Sequence, residues 1–138
     1  MQKLRSKQVE GFTLIEALLT LSVMTFLTLA TSGSIKTIFN QVQNQLFFVT
    51  FEQVYRETQR LSASREKETV LRITDRYLEN PLGRYPVPDT VVLEKEQQLV
   101  FNQSGGNSSL AKIVFKASGE RITYQLYLGS GQYQKKKD

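Results

Sequence analysis

The chain has 138 residues, with 18 lysines and arginines against 13 aspartates and glutamates, a net charge of +5. It contains neither cysteine nor histidine. That removes disulfides, thiolate metal sites and the usual near-neutral proton shuttle, and points away from an enzyme and from any bound cofactor or metal. The length allows one modest domain beside a membrane segment, and the charge is too mild to imply a nucleic-acid domain by itself.

Lys3, Arg5 and Lys7 precede the only long apolar run. Phe12 to Ala30 is nineteen residues with a single charge, ~28 Å as a helix at about 1.5 Å per residue, which spans a hydrocarbon core. Cations in the leader, and none again until Lys36, put the N-terminus in the cytoplasm and the C-terminus outside. The single charge is Glu16. A carboxylate within a membrane helix costs about 2.5–3.5 kcal/mol, which a simple anchor has no reason to carry, so Glu16 asks for a partner inside the bilayer. Gly11-Phe12, a small residue beside an aromatic one, lies before the apolar run. An ordinary secretory signal is cut behind it, whereas a cut here keeps the helix in the mature protein. An uncleaved signal anchor with an incidental Glu16 is the plainer alternative. Thr13, Thr20, Thr25, Thr28 and Thr31 dilute the run, and their hydroxyls can bond back to the helix. A less greasy anchor of this kind should leave the membrane more easily. Gly33, between Ser32 and Ser34, marks a bend or frayed turn, or simply the membrane exit.

The order basic leader, Gly11-Phe12-Thr13-Leu14-Ile15-Glu16, then apolar helix resembles the prepilin signature of type IV pilins and their pseudopilin relatives. The resemblance implies cleavage between Gly11 and Phe12 by a prepilin peptidase and N-methylation of the new Phe12 amine. It also implies that Glu16 neutralises the N-terminal amine of a neighbouring subunit as the helix joins a filament. Gly11 has no side chain to obstruct a protease, and a buried carboxylate is tolerable when paired with a buried ammonium. Many Gram-negative pilins staple the C-terminal part of the headpiece with a disulfide, and this chain departs from that pattern. Its missing cysteines, basic ends, short headpiece and cut site look like the competence pseudopilins of Gram-positive bacteria. That resemblance implies a minor subunit of a DNA-uptake pilus, single-pass in the cell membrane and carried to the surface on assembly. Its partners would be the major competence pilin, other minor pilins, a prepilin peptidase, an assembly platform protein and its ATPase.

From Ile35 to about Ser62 there is neither glycine nor proline. Ile35, Ile38, Phe39, Val42, Leu46 and Val49 recur at helical spacing, while Phe47, Phe51, Val54 and Tyr55 continue on an adjoining face. An amphipathic stalk continuous with the membrane helix is expected, with Phe47-Phe48 and Phe51 as the seat of a β-sheet. Arg56 to Glu68 alternates in sign and reads as a solvated helix end.

Beyond residue 67 the period changes. Thr69 to Thr74 reads as a strand, and Asn80-Pro81-Leu82-Gly83 and Tyr85 to Asp89 as turn and loop. Val91 to Leu93 and Gln98 to Phe101 suggest a hairpin across Glu94-Lys95-Glu96, and Ser104 to Ser109 a flexible loop. Leu110 to Lys116 and Arg121 to Leu128 alternate as a hairpin joined by Ser118-Gly119-Glu120. The expected fold is α+β: a leader (1–11), the transmembrane part of a long N-terminal helix (12–33), an amphipathic stalk helix (34–65), a small antiparallel β-rich headpiece (66–131) and a basic tail (132–138).

One further constellation concerns DNA. Arg121, Tyr124, Tyr127, Lys135, Lys136 and Lys137 could set stacking rings beside cations, as in sequence-independent binding of single strands. A solvated basic tail that meets no partner is the plainer reading. Three functions therefore stay open at this point: a structural minor pilin of a competence pilus, a direct DNA receptor within it, and a pseudopilin of a type II-like secretion system.

Overall fold

A computed structural model describes residue 11 and residues 13–138. Among these residues one helix, α1 (Leu14–Arg65), is followed by eight strands: β1 (Thr69–Ile73), β2 (Tyr77–Asn80), β3 (Gly83–Pro86), β4 (Val91–Leu93), β5 (Gln97–Phe101), β6 (Lys112–Ala117), β7 (Glu120–Leu126) and β8 (Tyr133–Lys137). The α+β architecture is the one expected. The chain divides into two compact units, one ending at Ile38 and the other running from Phe39 to Asp138.

In the first unit α1 is long and apolar enough to cross a membrane, and none of its apolar window is buried. Thr20, Thr25, Thr28 and Thr31 each donate a hydroxyl hydrogen bond to the carbonyl four residues back, at 2.8–2.9 Å. Their polarity is thus absorbed by the helix itself. The helix runs on through Ser32-Gly33-Ser34, so Gly33 does not break it.

In the second unit α1 buries Asn44, Phe47, Phe48, Phe51, Val54, Tyr55, Thr58 and Ser62, a stripe at three- and four-residue steps. Ile38, Phe39, Val42, Leu46 and Val49 stay exposed. Of the two apolar faces in the sequence, only the aromatic one meets the sheets. The helix ends without glycine. Lys67 N–H reaches the Ser62 carbonyl at 3.2 Å and Glu66 N–H the Ala63 carbonyl at 3.4 Å, with Glu66 in the left-handed region at φ 49°. This is the paired-bond helix stop usually built on glycine.

The strands form two antiparallel four-stranded sheets, in the orders β3-β2-β1-β5 and β4-β6-β7-β8. Leu71, Ile73, Leu78, Leu99 and Phe101 from the first sheet and Leu93, Ile113, Phe115, Tyr124 and Leu126 from the second share one core with the helix. Edge-to-face rings tie it together: Phe51 lies 5.1 Å from Phe115, and Tyr55 lies 5.1 Å from both Phe101 and Tyr133. Such pairs each add about 0.5–1.5 kcal/mol beyond burial.

Four local expectations are corrected. The segments 91–93 and 98–101 do not form a hairpin: β4 pairs with β6 and β5 with β1, so the charged link passes from one sheet to the other. Alternation fixes which face is buried but not which strand is the partner. The Asn80-Gly83 and 85–89 turn material is partly sheet. The Asn80 side chain accepts bonds from Leu82 N–H at 2.9 Å and Gly83 N–H at 3.0 Å, which makes a hairpin of β2 and β3, and Pro86 is tolerated because β3 is an edge. Where a flexible 104–109 loop was expected, Asn107 is 2 % exposed and bonds the Gly131 and Ser109 backbones. Finally, residues 133–137 of the basic tail are strand β8, paired from Leu126↔Tyr133 to Ile122↔Lys137. By contrast the hairpin expected at Ser118-Gly119-Glu120 is present, closed by a two-residue Ser118-Gly119 turn with positive φ at both positions (53° and 80°) and with Glu120 already in β7.

Candidate assembly and nucleic-acid sites

Of the cleavage site, Gly11 is exposed coil, and Phe12 lies outside the described residues. Glu16 stands in the first turn of α1, where it closes a reciprocal cap. Thr13 N–H donates to Glu16 Oε2 at 2.9 Å, and Glu16 N–H donates to Thr13 Oγ1 at 3.2 Å. Two of the otherwise unpaired N–H groups at a helix start are thereby satisfied. The Thr13-x-x-Glu16 spacing announces this cap in the sequence, a local role for Glu16 beyond that of a charge awaiting a partner. One carboxylate oxygen, Oε2, is engaged within the subunit, in a region where unpartnered polar groups are expensive.

The six candidate DNA contacts do not form one surface. Tyr124 is fully buried, its ring 4.8 Å from Phe51 and its hydroxyl donating to Glu52 at 3.0 Å. Burial first, then the Glu52 charge and hydrogen bond, raise the Tyr124 hydroxyl far above the ordinary tyrosine range. Lys135 donates to the same Glu52 oxygen at 2.7 Å and lies 5.5 Å from the Tyr124 ring centre. Lys137 pairs with Glu120 at 2.8 Å. Arg121 holds both oxygens of Glu94, at 2.8 and 2.9 Å, and that hydrogen bond is the main reason the Glu94 carboxyl titrates below its ordinary range. Tyr127 donates to Gln134 at 3.2 Å. Lys136, paired in register with Thr123, is exposed.

Sequence reasoning missed Glu52, the residue that fastens the C-terminal strand to the helix. Its carboxylate receives Lys135 and Tyr124 on one oxygen and lies 3.5 Å from Arg56 on the other. Burial pushes its pKa up, but the bonds from Lys135 and Tyr124 and the Lys135 and Arg56 charges outweigh it, leaving Glu52 below the ordinary carboxylate range. Two neighbouring contacts reinforce the fastening: Tyr55 donates to the Gly131 carbonyl at 2.9 Å, and Gly131 N–H donates to Asn107 at 3.1 Å. A lone Glu amid helical polar residues gives no hint of a partner more than eighty positions away.

Because the folded-state pKa of Glu52 is depressed, its contribution is present above the ordinary carboxylate value of 4.5 and is lost as pH falls below it. Glu52→Gln should cost about 1.5–3 kcal/mol near neutrality, the scale of a charge-assisted hydrogen bond. The gap between the wild-type and variant melting curves should shrink as the pH is lowered through that window.

Among the described residues no group of three or more acidic, histidine or cysteine side chains is placed to hold a metal ion. No protein-family model matches the chain, and no solved structure matches it significantly. The chain is 36 % identical over 137 residues to competence protein ComGD of Streptococcus pneumoniae, covering 99 % of this chain and 86 % of that protein. A likeness of that extent takes in the apolar helix and the whole β-rich unit alike. The chain belongs to the ComGD family of pilin-like competence proteins.

Proposed function

We propose that this protein is a minor subunit of a competence pilus, serving DNA uptake through assembly rather than catalysis. The likeness to competence protein ComGD across nearly the whole chain carries this reading. A membrane-length helix that carries Glu16 in its first turn, preceded in the sequence by Gly11-Phe12, supports it. In this scheme a prepilin peptidase removes residues 1–11 and the Phe12 amine is methylated. The helix then waits in the membrane with the headpiece outside, and is drawn into a filament with the major competence pilin and other minor pilins by a platform protein and its ATPase. Glu16 supplies the negative charge that meets the amine of an adjacent subunit, through the oxygen that forms no hydrogen bond among the described residues, while the other caps its own helix.

The hydroxyl-studded helix suits such a transfer. Thr20, Thr25, Thr28 and Thr31 each have the hydroxyl bonded within the helix, so leaving lipid for a protein surround breaks none of these hydrogen bonds. Deletion of the coding sequence in its host should abolish transformation while protein secretion stays unchanged, and the wild-type chain supplied in trans should restore it. Unimpaired transformation in the deletion, or a secretion defect in its place, would refute the competence reading in favour of a secretion pseudopilin.

A further inference from the structure

The register sorts the basic residues of the β4-β6-β7-β8 sheet onto two faces. Tyr133, Lys135 and Lys137 share the helix side of β8, where Glu52 and Glu120 engage the two lysines. Opposite lies a wet face. Lys116 stands beside Arg121, and Lys112 beside Gln125, across the β6–β7 ladder, while Lys136 stands beside Thr123 across β7–β8. Lys112, Lys116 and Lys136 are exposed and form no ion pair among the described residues. Along β6 the two lysines are four residues apart, ~13 Å, and β6 and β8 are two strand spacings apart, ~10 Å. A flat patch of that size approaches the ~12 Å width of the duplex major groove, so its cations can reach phosphates on either side of it.

Counter-charge on this face comes from Glu94 and Asp138. Glu94 is clasped by Arg121 and also feels Lys116 and Lys112, so the field of this face already converges on one anion. Single-strand recognition needs a row of stacking rings, and with Tyr124 buried in the core the β7 segment offers this face only the Tyr127 ring. What remains is cationic contact without base readout, which suits the regularly spaced phosphates of a duplex.

We infer that the outer face of this sheet binds the phosphate backbone of duplex DNA through Lys112, Lys116 and Lys136, with Glu94 restraining Arg121 as a further contact. The interaction belongs to the single subunit and holds whether or not the chain enters a filament. It also differs from a lysine-tail contact, since Lys135 and Lys137 lie on the other face.

The test is fluorescence anisotropy of a short labelled duplex titrated with the full chain in neutral detergent. A Kd on the order of 1–100 μM is expected, with log K falling against log salt at a slope of about −3 for three phosphate contacts. The triple variant Lys112→Ala, Lys116→Ala, Lys136→Ala should weaken binding at least tenfold, on the order expected when that electrostatic term is lost. Glu94→Gln should tighten it roughly two- to fivefold, the scale of one surface charge. A gain of that kind does not arise from misfolding. Lys135→Ala with Lys137→Ala should leave affinity nearly unchanged. Absence of binding, a triple variant that binds as well as wild type, loss confined to the Lys135 and Lys137 variant, or equal affinity for a single strand would each overturn the inference.

Discussion

Glu16→Ala should leave the chain cleaved and resident in the membrane but nearly absent from assembled filaments. Two effects push the same way. The substitution removes a charge that costs about 2.5–3.5 kcal/mol within the bilayer, so the free subunit becomes more comfortable where it is. In the proposed assembly it also leaves a neighbour's buried ammonium without its counter-charge, and breaking such a pair costs about 3–5 kcal/mol. The second alone corresponds to a fall in incorporation of about a hundredfold or more, and the first adds to it. The loss of the Thr13–Glu16 cap adds a fraying of the first helical turn, about 0.5–2 kcal/mol. Quantitative immunoblots of sheared filaments against membranes measure the ratio. Wild-type incorporation of the variant would show that the carboxylate serves only its own helix. Glu16→Gln separates the contributions, since it retains an acceptor for Thr13 while discarding the charge.

Phe51→Ala should be the most destabilising single truncation in the unit from Phe39 to Asp138. The ring has no exposed surface. It lies between Phe115 and Tyr124, at 5.1 and 4.8 Å, with Tyr55 beyond at 6.4 Å. Removing a buried phenyl group costs about 3–5 kcal/mol, because the transfer energy is lost and a cavity remains. Domains of this size hold only about 5–15 kcal/mol in all, so the variant should unfold at much lower denaturant. The exposed Val49, 63 % accessible, is the control: its replacement by alanine should stay within about 0.5 kcal/mol. Equal midpoints for the two variants would mean that the aromatic stripe is not the seat of the sheets.

The features that can be read from the sequence are those set by local chemistry. The apolar run, its lone carboxylate, the aromatic stripe from Phe47 to Tyr55 and the Ser118-Gly119 hairpin each depend on residues close in the chain. Other features depend on distant partners. Nothing in Val91 to Leu93 says that β6 rather than β5 will pair with it, because either arrangement buries Val91 and Leu93. Lys135 to Lys137 reads as a tail because three lysines in a row lack a hydrophobic alternation. Pairing with β7, together with Glu52 on the helix, makes it a strand. Tyr124 shows the same limit: alternation places it on one face with Ile122 and Leu126, which argues for the core, yet its neighbouring cations invited a binding role. The Thr13–Glu16 cap belongs with the legible features, since its three-residue spacing is local. Glu66 at the helix stop was not legible, because a left-handed residue without glycine leaves no compositional mark.

Mass spectrometry of the N-terminus of the chain isolated from its host's membrane tests the pilin assignment most directly. A first residue of Phe12 with one methyl group on its amine is the expected result, for it alone sets Glu16 at the depth where a neighbour's amine arrives. A chain that begins at Met1 in cells competent for transformation would contradict it, leaving an ordinary signal anchor with a capped first turn.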